Sequence, residues 1–243
     1  MQIHPELTVG ELVAQDYQSA AIFNRYGIDF CCGGKKTLAT ACAEKSVAFE
    51  ALSQDLEQAL ATTGLPAENA ANWSPGFLAE YIVQTHHRYL RDALPFLIQY
   101  STKIAQVHGA RHPELKIVEK QVRLLAEDLM AHMAKEEQIL FPYIKMLDAA
   151  RREKAPVAPP PFRTVQNPIR MMEHEHESAG AILENLRELT QAFTPPQDAC
   201  ASYQVTFAKL NELDQDLRRH IHLENNVLFP KAMLLEQQFQ NQN

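Results

Sequence analysis

The chain has 243 residues, 46% of them hydrophobic and 22% charged, enough to bury a substantial core in one or two domains of ordinary size. A formal net charge of −7 without clustered Lys and Arg excludes general nucleic-acid binding, and no run of 18 apolar residues marks a membrane span. Met1 to Gly10 carries no basic and apolar leader, so the expected location is the cytosol, where Cys31, Cys32, Cys42 and Cys200 stay reduced. Eight glycines and few Val, Ile or Thr runs point to an all-α fold.

In chain order, Thr8-Val9-Gly10-Glu11 has the spacing of a capping box before an apolar helical pattern, which Gly27 stops. After the loop Ile28 to Gly34, residues Thr37 to Glu44 and Phe49 to Ala61 return to helical spacing. A breaker-rich stretch runs from Thr62-Thr63-Gly64-Leu65-Pro66 to Trp73-Ser74-Pro75. This predicts a small N-terminal helical cysteine domain over 1–65, a linker over 66–75 and a helical bundle over 76–243.

Four long amphipathic helices are expected in the bundle, about Gly76 to Val107, Glu114 to Asp148, Asn167 to Ala192 and Asp198 to Leu235. Short joints near Gly109 to Pro113 and Thr194 to Pro196 make each pair antiparallel. Lys154 to Pro161 holds four prolines in eight residues and can only cross over between the pairs.

One motif occurs twice in this bundle, 88 residues apart: His132, Glu136 and Leu140-Phe141-Pro142, then His220, Glu224 and Leu228-Phe229-Pro230. Residues four apart share a helix face, so each copy presents an imidazole beside a carboxylate. Across each hairpin turn, His87 lies 45 residues before His132 and His176 lies 44 before His220. The result is a pseudosymmetric set of six: His87, His132, Glu136, His176, His220 and Glu224. Four imidazoles and two bridging carboxylates suit a pair of metal ions. Iron or manganese is the usual occupant of such a bundle, and zinc fits the same ligand types.

A single His-x-x-x-Glu pair on a helix is more often a surface polar pair; matched spacing in both copies and matched partner histidines argue for metal instead. Symmetry selects His87 over its neighbour His86, only one of which is expected to face inward, and it leaves His108, His174 and His222 out of the ligand set. Leu-Phe-Pro reads as core packing. Glu137, opposite Asn225 in the second copy, is expected to be solvated, and Glu175 is a candidate acid or proton carrier beside the site.

In the loop Cys31-Cys32-Gly33-Gly34-Lys35-Lys36, nearby helix N–H groups and two lysines are expected to favour thiolate. Redox chemistry, metal transfer and thiol exchange are all open to such a pair. Cys42 and Cys200 read as structural, Cys200 with no partner in view.

Tyr26 to Leu38, together with Lys135 to Pro142 and His220 to Pro230, resembles the RIC family, the repair-of-iron-centres di-iron proteins of bacteria, over nearly the whole chain. The resemblance implies a hemerythrin-like up-down four-helix bundle holding two non-haem irons on the six residues above. It also implies functional roles for Cys31 and Cys32, a cytoplasmic protein that is often a homodimer, and repair of iron–sulfur clusters damaged by nitrosative or oxidative stress through iron supply. Damaged or apo iron–sulfur proteins would then be its partners. Two alternatives stand beside it: reduction of NO to N2O with Glu175 as proton source, and a sensor or binding module for NO or O2. Oxygen-carrying hemerythrins resemble His-x-x-x-His in their third helix, whereas Met172 and Gly180 flank His176 at four residues here.

Overall fold

A computed structural model describes residues 3–61 and 69–240. Residues 62–68, which carry the end of the expected N-terminal domain and the start of the expected linker, lie outside the described residues. Regular structure among the described residues is helical, and an isolated bridge joins Thr8 to Thr37. No helix among them is long and apolar enough to cross a membrane.

The chain divides into two compact units, one built from Met1–Ala79, Ile144–Gln166 and Arg218–Asn243 and the other from Glu80–Tyr143 and Asn167–Leu217. In the first unit, α1 (Val9–Gln15) opens with the predicted capping box: Glu11 N–H donates to Thr8 Oγ1 at 3.2 Å, and Thr8 N–H to Glu11 Oε2 at 3.0 Å. The apolar pattern before Gly27 is split into two helices. Asp16 ends α1 and accepts from Gln18 N–H at 3.0 Å, and α2 (Ser19–Arg25) starts afresh. Gly27, at φ +65°, then stops α2 as its lack of a Cβ allows. Helices α3 (Leu38–Lys45) and α4 (Phe49–Ala61) follow at the predicted places. Val9, Leu12, Phe23, Phe30, Leu38, Leu52 and Leu56 are buried, each burial contributing on the order of 2 kcal/mol. After a 3-10 turn at Ala70–Asn72 comes α5 (Pro75–Ile82). Lys231 donates to the carbonyls of Ala71 and Trp73 and ties this segment down.

The second unit is a four-helix bundle. Its helices are α6 (Arg88–His108), α7 (Leu115–Lys135), α9 (Gln166–Leu189) and the larger part of α10 (Ala201–Leu223). Leu90, Leu94, Leu97, Val118, Val122, Leu125, Leu183, Leu186, Phe207 and Leu210 fill its interior at helical spacing. Asp214, buried inside, is paired with Arg187 at 2.7 Å. Helix α8 (Phe141–Glu153) ends where the proline-rich crossover begins, at Lys154 with φ +54°, and α11 (Phe229–Gln240) closes the described chain.

Three of the four long helices contain a wider, π-helical turn: Val83–His87 between α5 and α6, Glu136–Leu140 between α7 and α8, and Glu224–Leu228 between α10 and α11. A π turn holds one extra residue and re-aims the side chains around it. In two cases Pro142 and Pro230 supply a cause, because a proline ring clashes with the carbonyl four residues back and offers no N–H. Leu140, Phe141, Leu228 and Phe229 are buried, as the core reading of Leu-Phe-Pro predicts. The proline of that motif shapes the backbone beside each glutamate.

Candidate metal centre

The π turns sit where the predicted ligands are. In the second unit His87 closes one, Glu136 opens another, and His132 occupies the turn of α7 just before it. Glu136 is completely buried, and its Oε2 is 3.3 Å from Nε2 of both His87 and His132. His176, from the middle of α9, brings its Nε2 to 3.0 Å from Nε2 of His132. Ligating atoms of His132, Glu136 and His176 all lie within 4.8 Å of one another.

Carboxylates fix the outward nitrogens of two of these rings. His87 Nδ1 is 2.7 Å from Glu137 Oε1, and His132 Nδ1 is 2.8 Å from Glu175 Oε2. A ring that donates Nδ1–H outward presents a bare Nε2 lone pair inward, the tautomer a cation needs. Arg91 holds Glu137 at 2.6 Å, and Lys135 holds Glu175. The hydrogen bond from His132, assisted by Lys135 and opposed by partial burial, brings Glu175 down to about 2. His87 also stacks on Phe141, ring centroids 5.7 Å apart and 15° from parallel. Three imidazoles, a buried carboxylate and the carboxylate-held second nitrogens of His87 and His132 form a donor set that fits a divalent transition-metal ion.

Several expectations are corrected here. Glu137 is not solvated but buttresses His87; the partner lies 50 positions away, beyond helical periodicity, although Arg91, one turn after His87, carries a hint. Both His86 and His87 are buried, because each faces a different neighbour in the bundle: His86 Nδ1 is 2.9 Å from Asp216 Oδ1, and its ring meets Tyr81. Cys200 does have a partner. It is exposed at the opposite end of the second unit, its Sγ 3.1 Å from Nε2 of His108. His174 is exposed, outside the cluster.

The first unit contains the other motif copy. His220 Nε2 is 3.0 Å from Glu224 Oε1, and both residues are buried. His222, also buried, lies against Phe30 and Tyr17, and burial lowers it to about 4, so it is a neutral ring.

The cysteine loop is in this unit too, and for Cys31 its electrostatics run against the expected thiolate. Asp29 Oδ1 accepts from the N–H of Cys31 at 2.9 Å and of Cys32 at 3.1 Å, while Oδ2 accepts from Gly33 at 3.0 Å. Those donors therefore serve a carboxylate rather than a thiolate. Helix α3 starts only after Thr37, which caps it, and Lys36 is paired with Glu44 at 2.6 Å. The hydrogen bond with Cys32, burial and the Asp29 charge push the Cys31 thiol well above its ordinary value. Cys31 Sγ is 3.9 Å from Cys32 Sγ and 3.1 Å from Asp29 Oδ1. Cys42 is buried in α3, as a small hydrophobe would be.

A helical bundle with buried His and Glu clusters defines a cation-binding protein of the hemerythrin type. Residues 78–232 match the family described as Hemerythrin HHE cation binding domain, and residues 5–60 match the one described as Domain of Unknown function (DUF542). The chain is 38% identical over 228 residues to the iron-sulfur cluster repair protein YtfE of Citrobacter koseri, covering 93% of this chain and 96% of that protein. The same figures hold for YtfE of Shigella boydii and of Escherichia coli K12. The chain belongs to the RIC family of iron–sulfur cluster repair proteins.

Proposed function

We propose that this protein holds two iron ions on His87, His132, Glu136, His176, His220 and Glu224 and supplies iron to iron–sulfur clusters damaged by nitrosative or oxidative stress. The observation that carries the reading is the buried Glu136 carboxylate, within 3.3 Å of Nε2 of both His87 and His132. A carboxylate buried in a closed core is costly to desolvate, and one on which two imidazole nitrogens converge is naturally complemented by a cation. The relatives' printed name, iron-sulfur cluster repair protein, supports the same purpose. Glu136 and Glu224, which occupy equivalent positions in the two motif copies, would each hold iron through a carboxylate, and the pseudosymmetry of the sequence supports giving both the same role.

Bound iron would supply both the cargo and the redox chemistry of repair. The chain supplies the rest. Glu137 and Glu175 are read as fixing the rings of His87 and His132, Glu175 as a carboxylate that meets His132 through Oε2 and Lys135 through Oε1. Cys31 and Cys32 are read as the thiols that engage the acceptor or relay the metal, with damaged or apo iron–sulfur proteins as partners in the cytoplasm.

The test is label transfer. Protein loaded with isotopic iron is mixed with an apo or nitrosylated cluster protein, and label should appear in the acceptor as its activity returns. Glu136→Leu with Glu224→Leu should lose both iron and repair. Repair without transfer of label would remove iron donation from the reading.

A further inference from the structure

The two copies of the repeated motif differ just after their glutamates, and the difference has a structural consequence. In the first copy Glu137 and Gln138 follow Glu136; in the second Asn225 and Asn226 follow Glu224. Glu137 holds a histidine ring, and Gln138 is exposed. Asn226 instead turns inward, within the first unit, and donates its Nδ2 to the carbonyls of Cys31 at 3.0 Å and Phe30 at 3.2 Å. Asn225 adds a longer contact to the Cys31 carbonyl at 3.5 Å.

The loop is shaped to receive this side chain. A Cβ at Gly34 would stand 2.3 Å from Asn226 Oδ1, and one at Gly10 2.6 Å from the same atom, so only glycine leaves room at either position. Gly10 N–H donates to the Gly34 carbonyl at 2.8 Å and Val9 N–H to Lys36 at 3.0 Å, which closes the loop onto the start of α1 around the amide. Gly34 of the cysteine motif is therefore needed to admit Asn226.

We propose that Asn226 is a positioning residue that latches the Cys31–Cys32 loop to the π turn opened by Glu224, so that metal occupancy at Glu224 governs exposure of the cysteine pair. Glu224 and Asn226 share the five-residue turn Glu224–Leu228. A ligand that fixes the Glu224 carboxylate fixes this turn, and with it the amide that holds the backbone of Cys31. Loss of the metal frees the turn and loosens the loop. The thiols are thus held while the site is full and released as the metal leaves, when they can take it up or engage the acceptor. This rests on the reading of Glu224 as a metal ligand, whereas the latch itself rests only on contacts of Asn226.

The experiment follows iodoacetamide labelling of Cys32 by peptide mass spectrometry in full-length protein, iron-loaded and stripped, with iron content measured in each. In the unsubstituted protein, iron should slow labelling about fivefold, the effect of one net hydrogen bond. Asn226→Ala should retain iron yet label at the fast rate in both forms, and Gly34→Ala, which evicts the amide from the other side, should do the same. Hydrogen exchange of residues 29–34 in the unsubstituted protein requires no variant, and iron should protect these amides. Equal labelling and equal exchange in loaded and stripped protein would overturn the coupling. Retention of the iron effect in Asn226→Ala would overturn the role of Asn226. If the protein takes up no iron, the metal reading of Glu224 fails, and the latch is judged by whether Asn226→Ala labels faster than the unsubstituted chain.

Discussion

His87 and Glu137 are joined through Nδ1 and Oε1 at 2.7 Å, across 50 positions of sequence, with Arg91 on the same carboxylate oxygen at 2.6 Å. The pair gives Nδ1 of His87 a carboxylate acceptor and leaves Nε2 facing Glu136 and the cluster. Glu137→Ala should lower iron affinity by about 10- to 100-fold, the usual cost of losing a carboxylate behind a ligating histidine. Competition with a chromophoric chelator measures it. Unchanged affinity would mean that His87 is oriented by Phe141 stacking alone.

Glu175 is held at about 2 by the hydrogen bond from His132, with Lys135 assisting. Its unfolded value is near 4.3, so the folded state binds the proton more weakly. The resulting stability is present above the unfolded value and is lost as pH falls toward 2. Urea denaturation of metal-free protein should show Glu175→Gln flattening this acid loss by roughly 1–2 kcal/mol, allowing for partial exposure.

His222 titrates over a different window. Burial takes its folded value to about 4, opposed by a hydrogen bond with the Phe30 backbone and assisted by the charge of Arg219. The unfolded chain therefore takes up the proton first, near 6.5. Stability from the neutral ring is complete above that value and falls as pH drops toward 4, by up to about 3 kcal/mol. His222→Phe should remove this slope from a series of urea midpoints between those limits in the metal-free protein.

The two vicinal thiols should not behave alike. Cys31 is buried, and its thiol is pushed well above its ordinary value by Cys32, by burial and by Asp29; Cys32 is half-exposed. Alkylation near pH 8 should reach Cys32 first. Asp29→Asn removes the charge and should speed Cys31 labelling measurably. Labelling of Cys31 ahead of Cys32 would contradict the burial and electrostatics of the loop.

Much of this molecule was legible in residue order. The capping box at Thr8, the stop at Gly27, the four long helices and the break at Lys154 all rest on contacts between near neighbours in the chain. Such rules are local, and a helix closes its hydrogen bonds within five residues. The burial of His87, His132, Glu136, His176, His220 and Glu224 follows from the same periodicity, because each falls on an apolar stripe. Even the doubled glutamate motif needed no coordinates, only the fixed spacing of a helical face.

Tertiary structure decided what those residues touch. Glu137 could be assigned to His87, Glu175 to His132 and Asp216 to His86 only once separate helices were packed together, since side chains from distant positions meet by docking geometry and not by period. The three π turns likewise reflect a balance between a backbone defect and the packing that repays it. The thiol of Cys31 is the sharpest case: sequence supplied lysines and a nearby helix, which favour thiolate, but folding gave the loop's N–H groups to Asp29 and buried the sulfur. The sequence by itself determined which His and Glu residues would be buried on the helix faces that carry the repeated motif. Only the tertiary structure decided which nitrogen of His87 and His132 faces inward, and that Asn226 holds the cysteines, because both depend on contacts that exist only after the chain has closed on itself.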